Sequence, residues 1–158
     1  MCKNISLNGL EIHAICCAIG HKDDELIKFQ DSFSDDGNSV ISKKMEQSTP
    51  NNDLYLVKSE KTLEIKTKTL DTLLKDQNML NNIRLIKVDT EGYELFVFKG
   101  ATETLKKTEM IHFECWDKLF KKYDYKPEDV FNFLYSSGFE IYKINYKIIK
   151  KYGFDQRC

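Results

Sequence analysis

No two of the seven glycines lie close together: they stand at Gly9, Gly20, Gly37, Gly92, Gly100, Gly138 and Gly153. The chain therefore lacks a glycine-rich turn of the kind that lets a backbone approach a nucleotide-like cofactor. Neither sign of charge is in surplus. The formal net charge is -1, and the lysine pairs Lys43-Lys44, Lys106-Lys107 and Lys150-Lys151 are scattered among acids. That excludes a basic nucleic-acid face. No apolar run is long enough to span a membrane, and no charged-then-apolar leader opens the chain, so the cytoplasm is the expected compartment. The five cysteines make no CxxC pair and show no metal-ligand spacing. Cys16, Cys17 and Cys115 fall in apolar strand patterns and read as small buried hydrophobes in a reducing compartment. Of the three histidines, His13 and His112 sit in strand patterns, which predicts packed or hydrogen-bonded side chains.

What is present describes one soluble domain. The 158 residues are 41% hydrophobic and 31% charged, enough for a core. Residues 1–9 read as the tail of a helix that stops at Asn8-Gly9. Residues 11–19 are apolar on both alternating faces, which predicts a strand buried on both sides, as in a parallel sheet. Residues 25–29 form a further strand pattern, and residues 30–53 a long polar loop containing Asn38-Ser39. Residues 63–69 alternate cleanly, as a half-exposed strand does, and Leu70, Leu73 and Leu74 mark a short amphipathic helix. Pro127, Glu128 and Asp129 open a helix that Gly138 stops, and residues 139–149 read as a closing strand.

Residues 83–117 organise the rest. Leu85, Ile86 and Val88 make a short buried strand that ends on Asp89. An acidic turn follows, then a helix carrying Leu95 and Phe98 that breaks at Gly100, then a second buried strand over residues 110–115. The alternation of strand and helix predicts an α/β domain with a mostly parallel sheet and flanking helices. Ligands of such sheets bind beyond the carboxyl ends of the strands. Asp89, Glu91, Glu94 and Glu114 all fall there or close by.

The run Ile86-Lys87-Val88-Asp89-Thr90-Glu91-Gly92-Tyr93-Glu94, with Lys99-Gly100-Ala101 and Glu114, resembles the FkbM family of S-adenosylmethionine-dependent methyltransferases. The resemblance implies a class I methyltransferase fold, Rossmann-like, and a methyl transfer to oxygen on a sugar or another small hydroxylated acceptor. It also implies S-adenosylmethionine as cofactor. By position in that fold, Ala18 and Ile19 wall the adenine, although core packing accounts for them as well.

The same fold opens with a strand, a glycine-rich turn and a helix, and here that unit is missing. Residues 1–158 therefore read as a single partial domain. The expectation is a fragment of a longer product, a truncated gene model, or a non-catalytic remnant or half-domain that needs another polypeptide to complete its sheet.

The candidate catalytic residues are Asp89, Glu91, Glu94 and Glu114. A hydroxyl must lose its proton as a methyl group arrives, so one of them acts as a base, or two hold a divalent metal ion through oxygen ligands. The structural alternatives stand beside these roles. Glu91 and Glu94 suit the positive end of a helix, and Lys87 shares a strand face with Asp89 and neutralises it. Trp116 with Phe120, Tyr123 and Tyr125 either lines an acceptor pocket or packs under the next helix.

Overall fold

The computed structural model describes residues 2–30, 40–42, 62–145 and 148–151. Helix α1 spans Cys2–Leu7. The first sheet holds β1 (Ala18–Ile19), β2 (Leu26–Gln30), β3 (Val40–Ser42) and β4 (Thr62–Lys68) in the order β1-β4-β2-β3. Only β1 runs parallel to β4; the other two pairings are antiparallel. Helix α2 (Leu70–Asp76) leads to β5 (Ile83–Val88), α3 (Glu94–Lys99), α4 (Thr102–Leu105) and β6 (Thr108–Phe113). Strands β5 and β6 pair in parallel. Then come α5 (Asp117–Phe120), α6 (Pro127–Ser136) and an antiparallel hairpin of β7 (Tyr142–Asn145) and β8 (Ile148–Lys151).

The α/β character is thus as expected, but the sheet is not. In place of one mostly parallel sheet, the described residues form three small ones. The strand expected over residues 11–19 shrinks to Ala18–Ile19. Ile12 is 54% exposed, and residues 10–17 pair with no strand among the described residues. A backbone ladder needs a partner, and an apolar pattern alone does not make one. The cysteines follow suit: Cys16 and Cys115 are exposed and Cys17 is only half-buried. His13 and His112 are also exposed. The expected closing strand is a hairpin instead. The long polar loop contains β3, while Asn38-Ser39 lies outside the described residues. No helix among the described residues is long and apolar enough to cross a membrane.

The core lies on one face of β5 and β6. Val88 packs there with Phe98 of α3 and with Val130, Phe131 and Leu134 of α6. Phe113 of β6 meets Phe98 edge-on at 5.6 Å between ring centroids. The other face is open. Leu85 and its cross-strand partner Met110 are exposed, as are Lys87 and its partner His112.

A backbone contact joins the first sheet to α3. Gly20 follows β1, and its carbonyl oxygen lies where a side chain on Gly100 would begin. Asp71 of α2 reinforces the neighbouring joint. One of its oxygens accepts from the Thr104 N–H (2.7 Å) and hydroxyl (2.6 Å), the other from the Glu103 N–H (2.9 Å) and Thr102 hydroxyl (3.2 Å). Burial pushes the Asp71 carboxyl up, but the hydrogen bonds from Thr104, Glu103 and Thr102 outweigh it and hold the group below its ordinary value. A depressed carboxyl stabilises the fold above its unfolded pKa, and that stabilisation is lost as pH falls through the folded value. Asp71→Ala is expected to cost about 2 kcal/mol at neutral pH. Urea unfolding at pH 7 and at strongly acidic pH checks this: the gap between the two proteins should close in acid.

Candidate active site

The parallel register sets the ends of β5 and β6 side by side, with Val88 opposite Phe113. Asp89 follows the one and Glu114 the other. After Asp89 the chain turns sharply through Glu91, at φ 53°, and Gly92, at φ 102°. Gly92 is required twice over: its φ disfavours a side chain, and a Cβ there would sit 2.6 Å from the Leu119 carbonyl oxygen.

Glu94 braces this turn from within. It is 1% exposed. Its Oε1 accepts from the Thr90 N–H at 3.0 Å, the Thr90 hydroxyl at 3.1 Å and the Gly92 N–H at 3.4 Å. The Tyr125 hydroxyl donates to the Gly92 carbonyl at 2.5 Å and lies 3.5 Å from Glu94 Oε2. Burial, then the Glu94 charge, push the Tyr125 phenol well up, so it keeps its proton and remains a donor. Burial likewise pushes Tyr123 up to about 12.

With the turn held this way, carboxylate oxygens of Asp89, Glu91 and Glu114 lie within 4.8 Å of one another. Glu94 is not part of that group. Lys87 pairs with Asp89 at 2.8 Å, as their shared strand face suggests. Burial pushes the Glu91 carboxyl up, and the charges of Glu114 and Asp89 push it further; Lys122 opposes them. A carboxylate raised in this way is a better proton acceptor. The three together also offer oxygen donors of the kind a hard divalent cation takes.

Glu91 holds this place against two costs, a left-handed backbone and like-charged neighbours. Glu91→Gly removes both, so the fold should gain about 1 kcal/mol at neutral pH. A thermal melt a few degrees higher than the parent's would bear this out.

An open cavity of about 930 Å³ adjoins the cluster, lined in part by Lys87, Asp89, His112, Glu114, Trp116 and Tyr142. Phe120, Tyr123 and Tyr125 are buried in the core, so Trp116 alone of that aromatic group lines the cavity. Ala18 and Ile19 stand in the first sheet, paired with Thr67 and Lys68. Both are half-buried, and Ile19 packs against the core.

Tyr125 is the residue that sequence reasoning placed only among pocket or core aromatics. Its partner Gly92 is 33 residues away, and no local spacing signals such a bond.

A family model described as the methyltransferase FkbM domain matches residues 3–141. No curated protein and no solved structure matches the chain.

Proposed function

Because this chain belongs to the FkbM methyltransferase domain family, we propose that it serves methyl transfer to a hydroxyl oxygen of a sugar or another small hydroxylated acceptor. The observation that carries this reading is the convergence of Asp89, Glu91 and Glu114 beside an open cavity. Asp89 and Glu114 accept hydrogen bonds from the acceptor and hold it. Glu91 would take the proton as the O–H bond breaks, while the methyl group, held by a donor outside the described residues, would leave that donor as the new O–C bond forms. Glu94, Thr90 and Tyr125 position Glu91 without touching the acceptor.

FkbM domains in general use S-adenosylmethionine. The described residues do not fit it. Gly20 and Gly100 are packed against each other, Gly92 is packed against Leu119, and Gly9 and Gly138 follow the ends of α1 and α6. None of them opens a cradle beside Ala18 and Ile19. Donor binding accordingly falls outside the described residues, whose share is the acceptor side. Because the sequence holds no glycine-rich turn either, calorimetry on the isolated chain is expected to show no saturable heat with S-adenosylmethionine.

A second reading takes the chain as a non-catalytic remnant or half-domain that pairs with another polypeptide. The open face of β5 and β6 favours it, with Leu85 53% and Met110 59% exposed. One assay separates the two. Protein isolated together with its bound polypeptides is given S-adenosylmethionine with a labelled methyl group and a panel of sugars. The first reading expects an alkali-stable methyl ether. Material that binds the donor but yields no methylated product would leave the second, and a methyl ester or an N-methyl product alone would overturn both.

A further inference from the structure

The chain's single tryptophan, Trp116, is 48% exposed. Large aromatic side chains are usually drawn mostly out of water, and Phe120, four residues on, is 1% exposed. The backbone of Trp116 is well anchored nonetheless. It is the N-cap of α5, and its carbonyl accepts from the Leu119 and Phe120 N–H groups at 2.9 and 3.3 Å. An anchored backbone thus presents an exposed indole to the same cavity that Asp89 and Glu114 line.

The charges of that cavity nearly cancel. Lys87 pairs with Asp89, and the lining residue Asp117 pairs with Lys121 at 2.5 Å. Glu114 and Lys143 then balance each other across the lining, and Glu91 beside it leaves a single negative charge over. A phosphate would meet carboxylates with no cation in excess, and an alkylammonium ion would bring no more than three hydrogen-bond donors to them. A neutral molecule with one apolar face and many hydroxyls suits the lining better. Its C–H face can lie on the indole, and its hydroxyls can donate to Asp89 and Glu114, each carboxylate taking more than one hydrogen bond. A simple phenol would also stack but would leave most of those acceptors without a donor.

We infer that Trp116 is the stacking platform for the apolar face of a neutral sugar ring, which it presents to Glu91 and its neighbours. This rests on the acceptor-side reading above and adds to it the residue that selects the ring. The test needs no methyl donor. Neutral monosaccharides and disaccharides are titrated into the isolated chain while the emission of Trp116, its sole indole, is followed.

The expected result is a saturable change in emission. By calorimetry, Trp116→Ala should lose about tenfold in affinity, while Trp116→Phe, which keeps a ring, should retain most of it. If sugars are methylated yet leave the emission and the affinity of Trp116→Ala unchanged, the platform is overturned and the acceptor reading stands. If sugars bind at Trp116 but are never methylated, the platform stands and that reading falls. A response to phenols or alkylammonium ions alone overturns the platform.

Discussion

Gly100→Ala is expected to lower the stability of this protein by about 3 kcal/mol, the upper range for an overpacked contact. Nothing in the backbone of Gly100 calls for glycine, since its φ is -89°. On helix propensity alone, alanine would be the better residue. The cost comes entirely from what lies opposite. An added Cβ would overlap the carbonyl oxygen of Gly20 and stand 3.2 Å from the His21 Cα. Both are backbone atoms and cannot swing aside. Gly20 has little room to retreat, because the buried Thr67 side chain packs against it, 3.1 Å from where a Cβ of Gly20 would lie. Gly138→Ala is the control. Its φ of 92° is unfavourable for alanine, but the space around it is empty, so the loss should be about 1 kcal/mol. Urea unfolding followed by far-ultraviolet circular dichroism gives both values. Equal midpoints for Gly100→Ala and the parent would mean that the first sheet slides freely over α3.

In the partnered methyl-transfer assay, Asp89→Asn is expected to reduce turnover by roughly 100-fold or more. The substitution preserves shape and removes one charge. It takes away an acceptor for the substrate hydroxyl and frees Lys87 from its ion pair. The pH profile separates this from mere damage. If Glu91 is the base, the rate climbs as Glu91 ionises and then levels off. Asp89 is one of the charges that hold the Glu91 pKa up. Without it, and with Lys87 released, that pKa falls and the rising limb moves to lower pH. Glu91→Gln should remove the limb altogether. A limb that stays in place in Asp89→Asn, or survives in Glu91→Gln, would take Glu91 out of the role of base.

Much of this site could be read from the sequence because its geometry is local. The apolar run to Val88 and the acid after it define one strand end, and the second apolar run defines the other. Parallel pairing of β5 and β6 then brings Asp89 and Glu114 together. Glu94 was harder to place. At a helix start a glutamate is ordinarily a solvated charge near the dipole, whereas here it is buried, with its partners supplied by the turn and by Tyr125. Residues 11–19 misled for a different reason. Their pattern tells what the segment could pair with, but whether a partner lies alongside is not written in the segment itself. The hairpin of β7 and β8 went unseen because no glycine or proline marks its reversal.

The four hydrogen bonds to Asp71 have a consequence in time as well as in energy. Helix α4 is only four residues long, too short to hold itself together. Its Glu103 and Thr104 amides are sheltered by a carboxylate belonging to α2. They trade their hydrogens for deuterium when the Asp71 carboxylate swings away or when α2 opens and takes it along. The two amides should therefore exchange no more slowly than those in the middle of α2, whose opening releases them, although more than twenty residues separate them along the chain.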